Sequence, residues 1–217
     1  MASDKPVGAV NQQGSRTRSL EGAILTPQRL HAELLAIDET SLEAYLQGAL
    51  RDGTRSRSGT HRIGQSDRRW LEILAAILDV LGHRSWIYRE GRDREYWVVE
   101  TTAPFLSTQF DARPLAGSPQ GLAYVRGYFD ADGGMPRNPD ARLYFQMSQK
   151  DRGSLEDVRG ILESHGISCG RIHNPSVRVD PRYWRFFVRT RSHERFMSVV
   201  GSWHPRKRQQ MNTRMKI

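Results

Sequence analysis

The chain contains a single cysteine, Cys169. One thiol closes no internal disulfide and builds no cysteine-based zinc site, so the fold must rest on its core. No 18-residue apolar run and no secretory hydrophobic segment is present, and the expectation is a soluble, intracellular chain. The seven histidines are scattered, and no Ser-His-Asp or His-Cys arrangement is visible. Acidic residues are also in deficit, 24 Asp and Glu against 33 Lys and Arg, for a formal charge of +9. Only Lys5, Lys150, Lys207 and Lys216 are lysines, so the excess is carried by arginine. A polyanionic partner would suit this charge, although genomic base composition also produces arginine and charge alone does not decide.

The 217 residues, 37% hydrophobic and 26% charged, suffice for one large domain or two small ones with a true core. Residues 1–25 are rich in Gly, Ser and Gln without periodicity and read as a mobile leader. Thr26-Pro27 then offers an N-cap and first helical position to a short helix carrying Leu30, Leu34, Leu35 and Ile37.

An internal repeat sets the architecture beyond that point. Residues 65–82 laid over residues 149–166 share eight of eighteen positions without a gap: Gln65/Gln149, Asp67/Asp151, Arg68/Arg152, Leu71/Leu155, Glu72/Glu156, Ile77/Ile161, Leu78/Leu162 and Gly82/Gly166. Each copy is an amphipathic helix pattern with an Asp at its start and a Gly at its end. Downstream, Tyr96-Trp97 matches Tyr183-Trp184, and upstream Ala44-Tyr45 and Gly48 match Ala123-Tyr124 and Gly127. The expected order in each half is helix, strands, helix, strand hairpin, helix. In the first half these fall near 41–52, 55–65, 67–82, 84–101 and 103–111. In the second they fall near 119–132, 134–149, 151–166, 167–190 and 191–202. The chain therefore divides into a first repeat with its preceding helix at 26–115 and a second repeat at 116–217.

Alternation assigns faces to the second-half strands. Leu143, Phe145 and Met147 oppose Arg142, Tyr144, Gln146 and Ser148, while Trp184, Phe186 and Val188 oppose Tyr183, Arg185, Phe187 and Arg189. One face is apolar and suited to helices. The other is basic and aromatic, although polar outer faces are common in sheets generally.

The segment Leu122 to Gly134 carries the chemistry. It runs as a helix that breaks at Gly133-Gly134, leaving Asp132 at the C-terminus, where the helix dipole disfavours a carboxylate and calls for a compensating positive charge. Ala123, Gly127 and Ala131 form a stripe of small residues, repeated by Ala44 and Gly48, that would let two such helices approach closely. Side by side, they would bring two carboxylates together, a repulsion that divalent cations relieve, and hard oxygens without His or Cys favour Mg²⁺ over Zn²⁺. A calcium-loop reading of this stretch fails, because Ala141 stands at the twelfth position.

Val125-Arg-Gly127-Tyr-Phe-Asp130-Ala131-Asp132-Gly133 resembles the nine-residue motif of the LAGLIDADG homing endonucleases at Gly, Asp, Ala, Asp and Gly. With the repeated helix and strand order, the resemblance spans roughly residues 41–210 and is to the single-chain form of the family. It implies an α/β (α+β) fold of two pseudo-symmetric αββαββα repeats, forming a saddle of antiparallel sheets over duplex DNA, with the motif helices at their junction. The family's metal-binding Asp is Asp132 here. The first motif copy, Leu46 to Thr54, is one residue short: without a gap Gly53 aligns with Asp132, and with a deletion Asp52 does, which is the alignment chosen. The resemblance further implies that Gln149 and its partner Gln65 lie near the metals and that Lys207 stabilises developing charge. The first half offers no comparable lysine, only Arg113, which sets equal cutting of both strands in question.

The resemblance implies a monomeric, Mg²⁺-dependent endonuclease, with Mn²⁺ able to substitute. It would cut double-stranded DNA at a long, imperfectly palindromic site without an obligate protein partner, and would be DNA-associated inside the cell. The expected DNA contacts are Arg55, Arg57, Arg62, Trp86, Tyr88, Arg142, Tyr144, Gln146, Arg182, Tyr183, Arg185 and Arg189, whereas Trp97 and Trp184 belong in the core. Two alternatives stand beside it: the same scaffold with a weakened first site, acting as a DNA-binding regulator or an intron RNA splicing helper, and a basic interaction domain.

Overall fold

The computed structural model describes residues 27–215 apart from Pro139. The leader proposed for residues 1–25 lies outside the described residues. The chain runs through α1 (Pro27–Leu35), α2 (Glu39–Ala49), a 3₁₀ turn (Leu50–Asp52), β1 (Thr54–Arg55), β2 (His61–Gln65), α3 (Arg68–Val80), β3 (Ser85–Arg89) and β4 (Trp97–Thr101). It continues with α4 (Pro119–Asp132), β5 (Gln146–Gln149), α5 (Arg152–Ser164), β6 (Trp184–Phe187), an irregular helical stretch that includes α6 (His193–Arg195), and α7 (Pro205–Met215). In α1, Leu34 is buried while Leu35 points to solvent.

The repeated segments fold as equivalents. Helices α3 and α5 are both 13 residues long and start one residue after Asp67 and Asp151. Each Asp caps its helix by accepting from the backbone N–H two residues on, Arg69 or Gly153. Each helix ends at a glycine with positive φ, +75° at Gly82 and +72° at Gly166, a conformation that favours glycine.

The first sheet has the antiparallel order β1-β2-β4-β3. The second is regular only in β5-β6, but bridges at Gly134↔Gln146, Cys169↔Val188 and His173↔Arg185 flank it in the same order. The strands expected across 134–149 and 167–190 are therefore shorter than predicted. Phe145, Met147, Phe186 and Val188 are buried and Tyr144 is exposed, as the alternation required. Trp97 and Trp184 sit at the edge of the core rather than inside it, each roofed by the guanidinium that begins the preceding helix: Arg68 lies 4.6 Å from Trp97 and Arg152 lies 5.1 Å from Trp184.

The helix expected at 103–111 is absent. The Gln47 side chain instead satisfies the Ser107 backbone in both directions, donating to its C=O and accepting from its N–H at 3.0 Å. In the second half the equivalent Arg126 instead donates to the carbonyls of Val199 and Val200, at the end of a helical stretch.

One continuous core joins the two halves across α2 and α4. A Cβ added at Gly48 would lie 2.0 Å from the Tyr124 carbonyl oxygen, and one added at Gly127 would lie 1.9 Å from that of Tyr45. These reciprocal approaches describe a local twofold, and they require glycine at both positions because no side chain fits between the backbones.

Candidate active site and nucleic-acid interface

The packing of α2 on α4 brings their C-terminal ends to one place. Gly133 caps α4 with its N–H on Phe129 O at 2.8 Å, whereas Gly53 N–H reaches Leu50 O, one residue closer in sequence. The shortened first motif is thus accommodated by a tighter turn. Three residues in 3₁₀ geometry rise about 6 Å, as do four in an α-helix. Asp52 and Asp132 are each the last helical residue before an extended glycine, with φ/ψ of −93°/173° at Gly53 and −70°/141° at Gly133. Asp52, not Gly53, is the structural counterpart of Asp132.

The carboxyl of Asp132 is held up to about 6, first by loss of water and then by the charge of Asp52, with Lys207 opposing. Asp52 remains accessible, yet the chain around it withdraws enough water to raise its carboxyl too. Gln149 Nε2 donates to Asp132 Oδ2 at 2.9 Å and fixes that side chain, and Gln65 Nε2 donates to the Ala131 carbonyl at 3.2 Å. Both glutamines therefore converge on the end of α4. The Asp52 carboxyl makes no hydrogen bond or ion pair among the described residues.

Lys207 is buried beneath the same helix end. Its ammonium donates to the carbonyls of Phe129 and, at 3.0 Å, Asp130, and lies 4.6 Å from the Phe129 ring. It supplies the positive charge that the helix C-terminus calls for. Burial lowers it to about 8 against the support of Asp130. On the first-half side, Arg51 follows the motif glycine at the offset of Asp130, but it is held in an ion pair with Asp151 at 2.8 Å.

Sequence reasoning missed Asp130. It is wholly buried and accepts from Tyr45 Oη at 2.8 Å, Ser202 Oγ, Trp203 N at 2.8 Å and His204 N at 3.2 Å. Burial still pushes its carboxyl upward. Asp130 fastens the segment that leads into α7 and so positions Lys207. Its partners are 72 or more residues away in the chain on one side and 85 on the other, and no local pattern marks them.

Two hard carboxylates with an Asp132 oxygen left free by Gln149 fit a cation that takes its other oxygen ligands from water and a phosphate, as Mg²⁺ does. Among the described residues there is no cluster of three or more His, Cys, Asp or Glu, so a closed protein cage for a softer metal is not formed.

The expected DNA contacts separate into free and engaged groups. Arg55, Arg57, Arg142, Arg182 and Arg189 are exposed, as are Trp86 at 43% and Tyr144 at 38%. Arg189 also donates to Cys169 O at 3.0 Å, Gln146 donates to Tyr183 Oη at 3.1 Å, and Arg185 lies 5.3 Å from the Phe187 ring. Arg62 and Tyr88 are engaged differently, being bound to each other and to the carboxylates of Glu100 on β4 and Glu90 just past β3. Among the described residues no helix is long and apolar enough to cross a membrane.

Comparison with known proteins places this geometry. No curated protein sequence matches the chain. Among solved structures, I-DmoI in complex with DNA and Mn superposes with a TM-score of 0.54 at 16% identity, over 76% of this chain and 98% of that one. I-DmoI with DNA and Ca gives 0.57 at 15% identity, over 82% and 100%. Full-length DUF199/WhiA from Thermatoga maritima gives 0.59 at 16% identity, over 88% of this chain and 66% of that one. At such identities the likeness is one of fold. A family model described as a LAGLIDADG-like domain matches residues 119–201, a span that starts at the first residue of α4 and carries Asp132 and Gln149. Residues 119–201 thus form a LAGLIDADG-like domain.

Proposed function

We infer that the protein is a site-specific endonuclease of double-stranded DNA, working by metal-assisted hydrolysis at the junction of α2 and α4. The observation that carries this reading is the convergence of Asp52 and Asp132 at matched helix ends, where the water withdrawn from each and the charge of Asp52 on Asp132 favour a shared cation. In this reading residues 26–115 and 116–217 are the two halves, and each faces half of a long, imperfectly palindromic site.

Asp52 and Asp132 would hold Mg²⁺, or Mn²⁺ in its place. The cation supplies charge stabilisation at the attacked phosphate and a water more acidic than bulk water. Gln149 keeps the Asp132 carboxylate turned toward the site. Gln65 pins the α4 terminus, and Lys207 offsets negative charge there from within the protein. Arg55, Arg57, Arg142, Arg182 and Arg189 contribute phosphate contacts, which position a duplex, and Trp86, Tyr144, Gln146, Tyr183 and Arg185 face the base edges. The DNA complexes of I-DmoI support the choice of partner.

Asp132→Asn tests the assignment. With Mg²⁺ and a supercoiled plasmid library carrying randomised inserts, the wild type produces broken strands and the variant does not, while both keep salt-sensitive duplex binding. Cleavage by the variant would refute the catalytic role of Asp132. A second reading, a DNA-binding protein without cleavage, is favoured by one observation: Asp52 lacks the glutamine and lysine support given to the α4 end. Binding with intact strands in both Mg²⁺ and Mn²⁺ would select it.

A further inference from the structure

The two outer sheet faces treat their charges in opposite ways. In the first sheet Arg62 stands opposite Glu100, and Glu100 opposite Trp86, all on the face away from the helices. Arg62 Nε donates to Tyr88 Oη at 3.0 Å, its Nη2 is ion-paired with Glu90, and its Nε lies 3.7 Å from Glu100. Tyr88 Oη in turn donates to Glu100 Oε2 at 2.7 Å, and Thr60 Oγ1 donates to the other oxygen of Glu100. These bonds hold the Glu100 carboxyl below its usual range. The Arg62, Glu90 and Glu100 side chains are 29%, 37% and 13% exposed, so the network is a surface feature within reach of a partner. In the second half, none of Arg185 on β6 and Arg142, Arg182 and Arg189 beside the sheet forms an ion pair among the described residues.

An arginine already matched by two carboxylates gains little from a phosphate, since it must exchange one anion for another while the carboxylates repel the DNA backbone. The same carboxylate oxygens accept well from amino groups, which in the major groove are N4 of cytosine and N6 of adenine. We propose that Glu90 and Glu100 make the first sheet a discriminator of duplex sequence. They hold Arg62 away from phosphates and admit base edges that offer donors, while the unpaired Arg142, Arg182 and Arg189 beside the second sheet supply affinity for any duplex. This rests on the DNA-binding part of the proposed function but not on cleavage.

Binding of a short random-sequence duplex in EDTA, followed by fluorescence anisotropy over a salt series, tests it without any metal. Glu90→Gln combined with Glu100→Gln frees Arg62, so affinity rises several-fold and the log-log salt slope steepens by about one. Arg62→Ala costs less random-duplex affinity than Arg182→Ala. Selection from randomised duplexes with Glu90→Gln relaxes preference in one half-site and leaves the other unchanged. The proposal is overturned if the double variant binds random duplex no more tightly than the wild type, or if Arg62→Ala and Arg182→Ala weaken binding equally. It is also overturned if both half-sites keep their preferences. A wild-type protein with no salt-sensitive duplex binding would remove the functional reading along with it.

Discussion

A carboxylate kept where the fold disfavours it should weaken the protein that carries it. Asp132 titrates near 6, against 3.8 for an unperturbed group. Its folded pKa lies above its unfolded one, so ionisation opposes folding. The penalty is absent below about pH 4, where both states are protonated, grows between about pH 4 and 6, and is complete above pH 6. A gap of about two pH units corresponds to about 3 kcal/mol, and residual contact with water reduces the expected effect to about 2 kcal/mol. Asp132→Asn removes the charge while its side-chain oxygen can still accept from Gln149. In EDTA the variant should match the wild type at about pH 3.5 and exceed it by about 2 kcal/mol at about pH 7.5, a rise in Tm of about 4–8 °C for a chain of this size.

Thermal unfolding of both proteins at the two pH values measures this directly. Added Mg²⁺ should then stabilise the wild type at the higher pH by mass action and leave Asp132→Asn unmoved. A variant whose advantage over wild type is no larger at the higher pH than at the lower would refute the claim that Asp132 is held against its own electrostatics. That result would also remove the main physical reason for placing a cation there.

Two further outcomes concern the helix pair and its surroundings. Gly127→Ala places a methyl 1.9 Å from the Tyr45 carbonyl oxygen, which no rotamer change relieves. It should cost at least about 3 kcal/mol by urea unfolding, and a loss under about 1 kcal/mol would show that α2 and α4 are not in backbone contact. Because Gln65, Gln149 and Lys207 all converge on the α4 end, strand cleavage should be unequal, with open-circular plasmid accumulating before linear product. Simultaneous loss of both strands, with no nicked intermediate on agarose gels, would contradict that asymmetry.

The features legible in the sequence were the local and the repeated ones. The caps at Asp67 and Asp151, the positive-φ glycines and the equal lengths of α3 and α5 depend on neighbours in the chain, so two copies of one pattern produced two copies of one element. The deletion that aligns Asp52 with Asp132 was readable from the sequence, but the way the fold absorbs it was not: a 3₁₀ turn recovers the rise of the missing residue. The helix at 103–111 was misplaced because its backbone partner is the side chain of Gln47, 60 residues earlier, a contact with no trace in local periodicity. Arg62 was counted among free cations for the same reason. Its partners Tyr88, Glu90 and Glu100 lie on other strands or just past their ends, and only strand register brings them together. An outer-face arginine therefore announces its charge in the sequence, but whether that charge remains for DNA is decided by the strand beside it. In this protein the two halves of one duplicated plan answer that question differently.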